Sequence, residues 1–148
     1  MARCDINVFK GIILMNIGGY ELYSIETSHF SLDGGAMFGI IPKTMWEKEA
    51  PADDQNRITM VTRSLLLVGH GRKIIVDTGN GDKWQDKFKA IYNIDTESVN
   101  LNASLAKYNF TTDDITDVFC TPMHFDHIGG NTKLVNGKLE PVFTNATY

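Results

Sequence analysis

The sequence predicts an α+β fold, on the basis of three observations. Two apolar β-type runs, ITMVTRSLLLV and KIIVDTG, are separated only by GHGR, a pattern that is typical of a β-hairpin. Two later segments carry apolar residues at i, i+4 and i+7, which is the spacing of one helix face. A further short strand is predicted at residues 117–121, after the second helix. Strands and helices therefore both contribute to the predicted core.

The remaining elements follow from local composition. A first strand is predicted at residues 21–27, where YELYSIET is rich in β-forming residues. The glycines of DGGAMFGIIPK allow a turn or a close backbone approach, and EKEAPADDQNR reads as an exposed loop. The apolar length of SLLLV and KIIV predicts strands that are covered on both faces. NTKLVNGKLEPV holds an Asn-Gly turn between two β-type pieces.

Each predicted helix rests on one apolar set. The first, in NGDKWQDKFKAIYNI, has Trp84, Phe88 and Ile91 on one face. The second, in DTESVNLNASLAKYNF, has the following three on one face: Leu101, Leu105 and Tyr108.

Length and composition predict one ordinary globular domain. A chain of 148 residues buries roughly 70% of its unfolded surface, and we place the domain at residues 15–148, with residues 1–14 as an extension outside it. A net charge of −4 without a Lys/Arg run predicts no nucleic-acid partner. The apolar patch at residues 12–15 is too short to span a membrane. Only two cysteines are present, far apart in the chain, so we expect a reducing, cytoplasmic location.

The segment CTPMHFDHIGG carries the strongest chemical signal. Two histidines and an aspartate fall within four positions, His124, Asp126 and His127, directly after a predicted strand. Imidazole nitrogen and carboxylate oxygen both bind zinc, at about 2.0–2.2 Å. Gly129 and Gly130 allow the backbone to turn away from such a site. These residues therefore predict a metal site, whereas His29, at a strand end, and His70, in a hairpin turn, are expected to be ordinary polar residues.

The segments TPMHFDHIGG and KIIVDTGNG together resemble signatures of a known enzyme family. The first resembles the H-x-H-x-D-H signature of the metallo-β-lactamase superfamily of hydrolases, and the second resembles that family's strand ending in Asp-x-Gly. LDGGAMFGIIPK and DQNRITMVTRSLLLV further resemble the lactonase-like and organophosphate-hydrolase-like branch. The resemblance implies the first half of an αββα sandwich, with a mostly antiparallel or mixed sheet and helices on one face.

The resemblance also implies roles for particular residues. His124 matches the second histidine of the signature and would bind the first metal, while Asp126 and His127 would bind the second. Catalytic roles are thereby assigned to Asp126, as a ligand, and to Asp77, which would order the site through hydrogen bonds without binding metal itself. Such supporting contacts typically change metal affinity or activity 10–100-fold. Zinc is the expected metal, with two ions in a complete family site; iron, manganese and cobalt suit the same ligands.

The chain departs from the family pattern in two respects. Pro122 stands where the signature has its first histidine, so a nitrogen ligand is lost. No histidine or aspartate follows His127, whereas the family's remaining ligands come from the second half of the fold. We therefore expect one zinc ion or fewer, and an impaired or incomplete site. We also expect an uncovered apolar sheet face and strand edge, and hence a homo-oligomer or a complementing second half.

Three functional hypotheses remain at this point. The first is a zinc-dependent hydrolase that uses metal-bound hydroxide on a small-molecule ester, lactone or phosphoester. The second is a non-catalytic metal-binding or interaction domain that retains the fold, which Pro122 favours. The third is an otherwise active enzyme in which histidine has been changed to proline. Phe38 and Trp46 are candidates for lining a substrate pocket, although core packing is the more ordinary role of each.

Overall fold

A computed structural model describes residues 4–9 and 12–148, and its centre is a six-stranded sheet in the order β1-β2-β3-β4-β5-β6. A separate two-stranded hairpin, β7-β8, lies near the end of the described chain. The strands are β1 Cys4–Phe9, β2 Ile12–Ile17, β3 Tyr20–Asp33, β4 Arg57–Gly69, β5 Arg72–Val76, β6 Asp117–Phe119, β7 Thr132–Val135 and β8 Lys138–Pro141. The helices are α1 Gly34–Phe38, α2 Lys43–Trp46, α3 Asp86–Tyr92, α4 Leu101–Ala106 and α5 Phe125–Ile128.

The sheet is mixed, with a single parallel pair at its β5–β6 end. Strands β4 and β5 are antiparallel and are joined by the two-residue turn His70-Gly71, in which both residues have positive φ, 50° and 75°. This is the backbone of the tight hairpin turn that GHGR predicts. Strand β6 pairs with β5 in parallel, with Val118 opposite Ile75. The predicted α+β fold with a mostly antiparallel, mixed sheet is therefore confirmed.

Strand β3 is twice as long as predicted. The predicted strand at residues 21–27 covers only its first half, because the register of β3 against β4 shifts between Glu26 and Ser28. A bulge of this kind breaks the two-residue alternation, so the sequence signal ends where the bulge begins. Thr27 and Ser28 both hydrogen-bond the Thr62 hydroxyl, at 2.6 Å and 2.7 Å, which satisfies these buried groups.

Helices α3 and α4 lie over one face of the sheet, termed the inner face. Helix α4 begins at Asn100, whose side chain accepts a hydrogen bond from the Ala103 amide at 2.9 Å, an ordinary N-cap. Leu105 of α4 is fully buried among residues of four strands and two loops. This core consists of Ile25, Leu66, Ile75, Leu105, Ile115, Val118 and Phe143. Helix α3 begins later than predicted, so Trp84 precedes it and contacts Phe88 from outside the helix.

The opposite face of the sheet, termed the outer face, is apolar and partly exposed. Side chains alternate between the two faces of a strand, so the neighbours of the core residues in β4, β5 and β6 point outward. Leu65 is 38% exposed and Phe119, in the same row across the strands on the other side of Val76, is 60% exposed. The outer face is formed by Leu22, Leu65, Leu67, Ile74, Val76 and Phe119. A folded chain rarely leaves such a stripe in water.

Strands β1 and β2 form one end of the six-stranded sheet. β1 pairs with β2 along its length, and β2 pairs with β3 through residues 15–17. Residues 1–3, 10 and 11 lie outside the described chain, and the extension at residues 1–14 remains a prediction.

Trp46, stacked on Phe38 at 4.8 Å, is only 5% exposed and packs as a core residue. No helix in the described part of the chain is both long enough and apolar enough to cross a membrane.

Candidate metal centre

The candidate site lies where β5 and β6 end, side by side. Because the two strands are parallel, their carboxyl ends meet at one edge of the sheet. Asp77 directly follows β5, and its amide donates to the Phe119 carbonyl at 2.9 Å. Thr121 follows β6 and donates to the Asp77 carboxylate twice, from its amide at 2.9 Å and from its hydroxyl at 2.7 Å. The carboxylate of Asp77 is thereby fixed at the strand ends.

The segment after β6 then runs beside the segment after β5. The Thr78 amide donates to the His127 carbonyl at 2.6 Å, and the Gly130 amide donates to the Gly79 carbonyl at 3.0 Å. This approach leaves no room for side chains at the glycine pair. A Cβ on Gly129 would lie 2.0 Å from the Asn80 carbonyl oxygen. The glycines that predicted a tight backbone path therefore allow two chain segments to touch.

His127 is held between two carboxylates. Its Nδ1–H donates to Asp77 Oδ2 at 2.7 Å, and its Nε2 lies 3.4 Å from Asp126 Oδ2. A histidine that donates from Nδ1 to a carboxylate is fixed in the tautomer whose Nε2 carries a free lone pair. The nitrogen lone pair and the Asp126 carboxylate oxygen therefore stand next to each other. These are one nitrogen and one oxygen donor of the kind that zinc binds.

The environment of Asp77 favours its ionised form. Burial alone would raise the pKa of Asp77, but hydrogen bonds from His127 and Thr121 together outweigh burial and hold that pKa below its ordinary value. Asp77 also has φ of 58°, a left-handed conformation that is uncommon outside glycine, although aspartate tolerates it better than most residues. The ionised carboxylate at this position keeps the imidazole of His127 oriented.

His124 is placed close to the pair but apart from it. It is exposed at the start of helix α5, and its ring centroid lies 6.4 Å from that of His127. Zinc–nitrogen bonds of about 2.0–2.1 Å would bring two imidazoles on one tetrahedral ion to roughly 5 Å between centroids. Within the described residues, no three His, Cys, Asp or Glu side chains converge closely enough to hold an ion. The structure thus brings together Asp77, Asp126 and His127, and leaves His124 one step away.

The donors present fit part of a metal site. Asp126 and His127 supply two ligands of suitable chemistry, with His127 in the correct tautomer, so a cation between them is chemically reasonable. His124 could serve a neighbouring ion, and Pro122, half-buried two residues before it, offers no nitrogen donor. The residues therefore fit a zinc ion with an incomplete set of protein ligands.

Three contributors to this site carry no signal in residue spacing. Thr121 donates two hydrogen bonds to the Asp77 carboxylate, as described above. Phe125 inserts its ring among aromatic side chains of the inner face, 5.4 Å from Trp84 and 5.3 Å from Tyr92. Lys83, whose pKa is lowered because the ammonium is partly buried, donates to the carbonyls of Gly129 and Thr132. Of these three residues, only Thr121 stands at a typical position in the sequence, that of a hydroxyl residue after a strand.

Comparison with known proteins supplies the family. The sequence model of the metallo-beta-lactamase superfamily matches residues 58–147. A crystal structure of a probable metal-dependent hydrolase from Staphylococcus aureus is 34% identical, with a TM-score of 0.78, covering 89% of this chain and 47% of that one. Among proteins of curated function, none matches significantly.

Two more distant structures share the fold. One is AidC, a dizinc quorum-quenching lactonase in complex with a product, at 24% identity and a TM-score of 0.64, covering 98% of this chain and 43% of that one. The other is the hydrolase AbOPH in the beta lactamase superfamily, at 16% identity and a TM-score of 0.65, covering 90% and 42%. This chain spans about half the length of each of these three structures. The family match, the matched half-fold and the Asp-x-Gly and HFDH segments at one sheet edge show that this chain belongs to the metallo-beta-lactamase superfamily.

Proposed function

We propose that this chain is the N-terminal half of a metal-dependent hydrolase that uses zinc to cleave an ester, lactone or phosphoester. The observation that carries the proposal is the arrangement of His127, which is held through Nδ1 by Asp77 and faces Asp126 through Nε2. The names of the similar structures, a metal-dependent hydrolase, a lactonase and a second hydrolase, support the same class of chemistry.

The side chains divide the work of such a site between them. Asp77 accepts the hydrogen bond from Nδ1–H of His127 and so keeps the proton on Nδ1, which leaves the Nε2 lone pair free to bind a metal. Asp126 adds a carboxylate oxygen beside that nitrogen. A zinc ion held there would supply Lewis acidity toward a carbonyl or phosphoryl oxygen and would lower the pKa of water to about 7. The aromatic contacts of Phe125 fix the backbone between His124 and Asp126.

The substrate class is extended to this chain from its relatives. AidC is described as a lactonase, and the DGGAMFGIIPK segment of this chain resembles the lactonase-like and organophosphate-hydrolase-like branch. A lactone, an aryl ester and a phosphotriester all develop negative charge on one oxygen at the reacting centre, which a cation stabilises. Lactones are therefore our first candidate substrate, with phosphoesters second.

A second candidate function is a non-catalytic metal-binding or interaction domain. Pro122 at a ligand position favours it, as does the absence of a three-ligand group among residues 4–9 and 12–148. The two candidates share the fold and differ in turnover. The hydrolase and a metal-binding domain both predict a cation at Asp126 and His127, whereas an interaction domain predicts none.

Hydrolysis before and after metal removal separates these candidates. The protein is combined with the second half of the domain, loaded with zinc and assayed on an N-acyl homoserine lactone, a phenyl acetate and an aryl phosphotriester. The hydrolase proposal predicts turnover that a chelator abolishes and that zinc restores. Zinc uptake without turnover of any of the three substrates would favour the binding domain. Turnover that persists in the presence of chelator would contradict a metal-dependent mechanism.

We also propose that the outer face is the surface on which a complementing second half of the hydrolase domain packs. Its leucine and phenylalanine side chains are exposed, whereas the apolar face of a sheet is normally covered by a second layer of secondary structure. The structures that this chain matches are about twice its length, which supports a partner of similar size. A second copy of the chain is the competing occupant.

A charge placed on the outer face tests this surface. In Leu65→Glu, a carboxylate replaces a partly exposed side chain at the centre of the stripe, while Lys87→Glu changes an exposed position on helix α3 as a control. A monomer that binds an apolar dye, with dye binding lost only in Leu65→Glu, would support an uncovered face that accepts a second half. A dimer that sedimentation shows to dissociate only in Leu65→Glu would assign the face to a second copy. A monomer without dye binding would contradict both.

A further inference from the structure

We propose that Lys83 is a positioning residue that holds the ligand loop, residues 124–132, in the orientation in which His127 meets Asp77 and Asp126. This inference deepens the proposed function and rests on it for the meaning of metal binding. Lys83 lies outside the HFDH segment and outside the Asp-x-Gly turn. Its role follows from the two acceptors that its ammonium contacts.

The ammonium of Lys83 bridges two parts of the ligand loop. Its Nζ donates to the Gly129 carbonyl in a short contact and to the Thr132 carbonyl at 3.1 Å. Gly129 is the residue at which helix α5 ends, and Thr132 is the residue at which β7 begins. One side chain therefore fixes the distance between the helix that carries Asp126 and His127 and the hairpin that follows it.

The lysine projects from a segment that is itself fixed to the sheet. The Trp84 indole N–H donates to the main-chain carbonyl of Asn80 at 2.9 Å, and the side-chain Nδ2 of Asn80 donates to the Ser28 hydroxyl at 2.9 Å. Asn80 and Ser28 are fully buried. Hydrogen bonds thus connect the chain on either side of Lys83 to β3. The ammonium therefore fixes the loop relative to the sheet.

The chemistry of these contacts explains why a cation suits this position. A hydrogen bond from a charged donor is about twice as strong as one between neutral groups, and main-chain carbonyls at the end of a helical turn lack an internal partner. A methionine at the same position would fill similar space but would donate nothing. Both carbonyls would then lose the ammonium, while the loop would keep its backbone hydrogen bonds to Thr78 and Gly79 and the contact between His127 and Asp77.

A set of three variants isolates the positioning effect. Lys83→Met removes the donor, Lys83→Arg retains a cation with several N–H groups, and Lys87→Met changes an exposed lysine on α3 as the matched control. The first measurement is hydrogen exchange on the metal-free protein, which follows the amides of His127, Ile128 and Gly130. These amides are hydrogen-bonded to His124 and Gly79 carbonyls within and beside the loop. The second is zinc affinity by competition with a chelator.

We expect Lys83→Met to speed exchange at the loop amides and to weaken zinc binding about tenfold, the scale of lost support around a metal ligand. Exchange in the β3–β4 pairing should stay unchanged, and Lys83→Arg should recover much of both effects. If hydrogen exchange and zinc affinity in Lys83→Met are the same as in the control Lys87→Met, the proposal is overturned. Equal acceleration across β3, β4 and the loop would also overturn it, because Lys83 would then stabilise the whole fold. A third outcome is possible, in which neither the natural chain nor any variant binds zinc but Lys83→Met still speeds exchange at the loop amides. In that case the proposed metal function fails while the positioning role stands.

Discussion

Replacing Asp126 by alanine is expected to abolish metal binding by this chain. Of the candidate ligands, only Asp126 and His127 face each other, with 3.4 Å between the carboxylate oxygen and Nε2. Without the carboxylate, the imidazole is a single neutral donor, whereas structural and catalytic zinc sites in proteins use three or four ligands. Zinc content measured by elemental analysis should fall from the natural chain's level to background.

The matched control for this substitution is Asp54→Ala. Asp54 is an exposed aspartate in the loop before β4, far in sequence from the strand ends that form the site. Loss of zinc in both variants would point to a general effect of charge, and unchanged zinc in Asp126→Ala would rule out Asp126 as a ligand. His127 should remain hydrogen-bonded to Asp77 in Asp126→Ala, because that contact does not involve the removed group.

Replacing Pro122 by histidine is expected to raise both metal content and hydrolysis when the second half of the domain is present. The substitution adds an imidazole two residues before His124, at the position that matches the first histidine of the family signature. Imidazole nitrogen is a common zinc ligand in proteins, so the added side chain should raise the affinity of the site for zinc. Zinc per chain and turnover of the lactone substrate should both increase relative to the natural chain.

Pro122→Ala separates the ligand from the backbone effect. Removal of the proline ring frees φ and restores an N–H in both variants, but only histidine adds a donor. An increase in zinc shared by alanine and histidine would mean that the proline ring distorts the loop. If Pro122→His takes up no more zinc than the natural chain, residue 122 is not at a ligand position.

The sequence predicted the parts of the fold that depend on local rules. The hairpin at His70 and Gly71 and the Asn-Gly turn before β8 follow from residues that adopt positive φ, and both are where the pattern places them. Strand β3 was predicted too short because its bulge at residues 26–28 interrupts the alternation that reveals a strand. Helix α3 starts after Trp84, since the apolar spacing extended beyond the residues that make helical hydrogen bonds.

The site was predicted in part, for a similar reason. His127, Asp126 and Asp77 were identified because they occupy motif positions, and the structure brings the three together at one sheet edge. Thr121 and Lys83 act through contacts between segments 44 to 49 residues apart in the chain. No spacing rule connects residues at such separations, because only the pairing of β5 with β6 makes them neighbours.

The most direct test of the metal site is a zinc titration of the natural chain, followed by elemental analysis of the washed protein. We expect measurable uptake of at most one ion per chain, since two protein ligands face each other and the Pro122 position supplies none, and we expect Asp126→Ala to eliminate this uptake. A natural chain that stays free of zinc after exposure to an excess of the ion, or that takes up two ions, would contradict the proposed site.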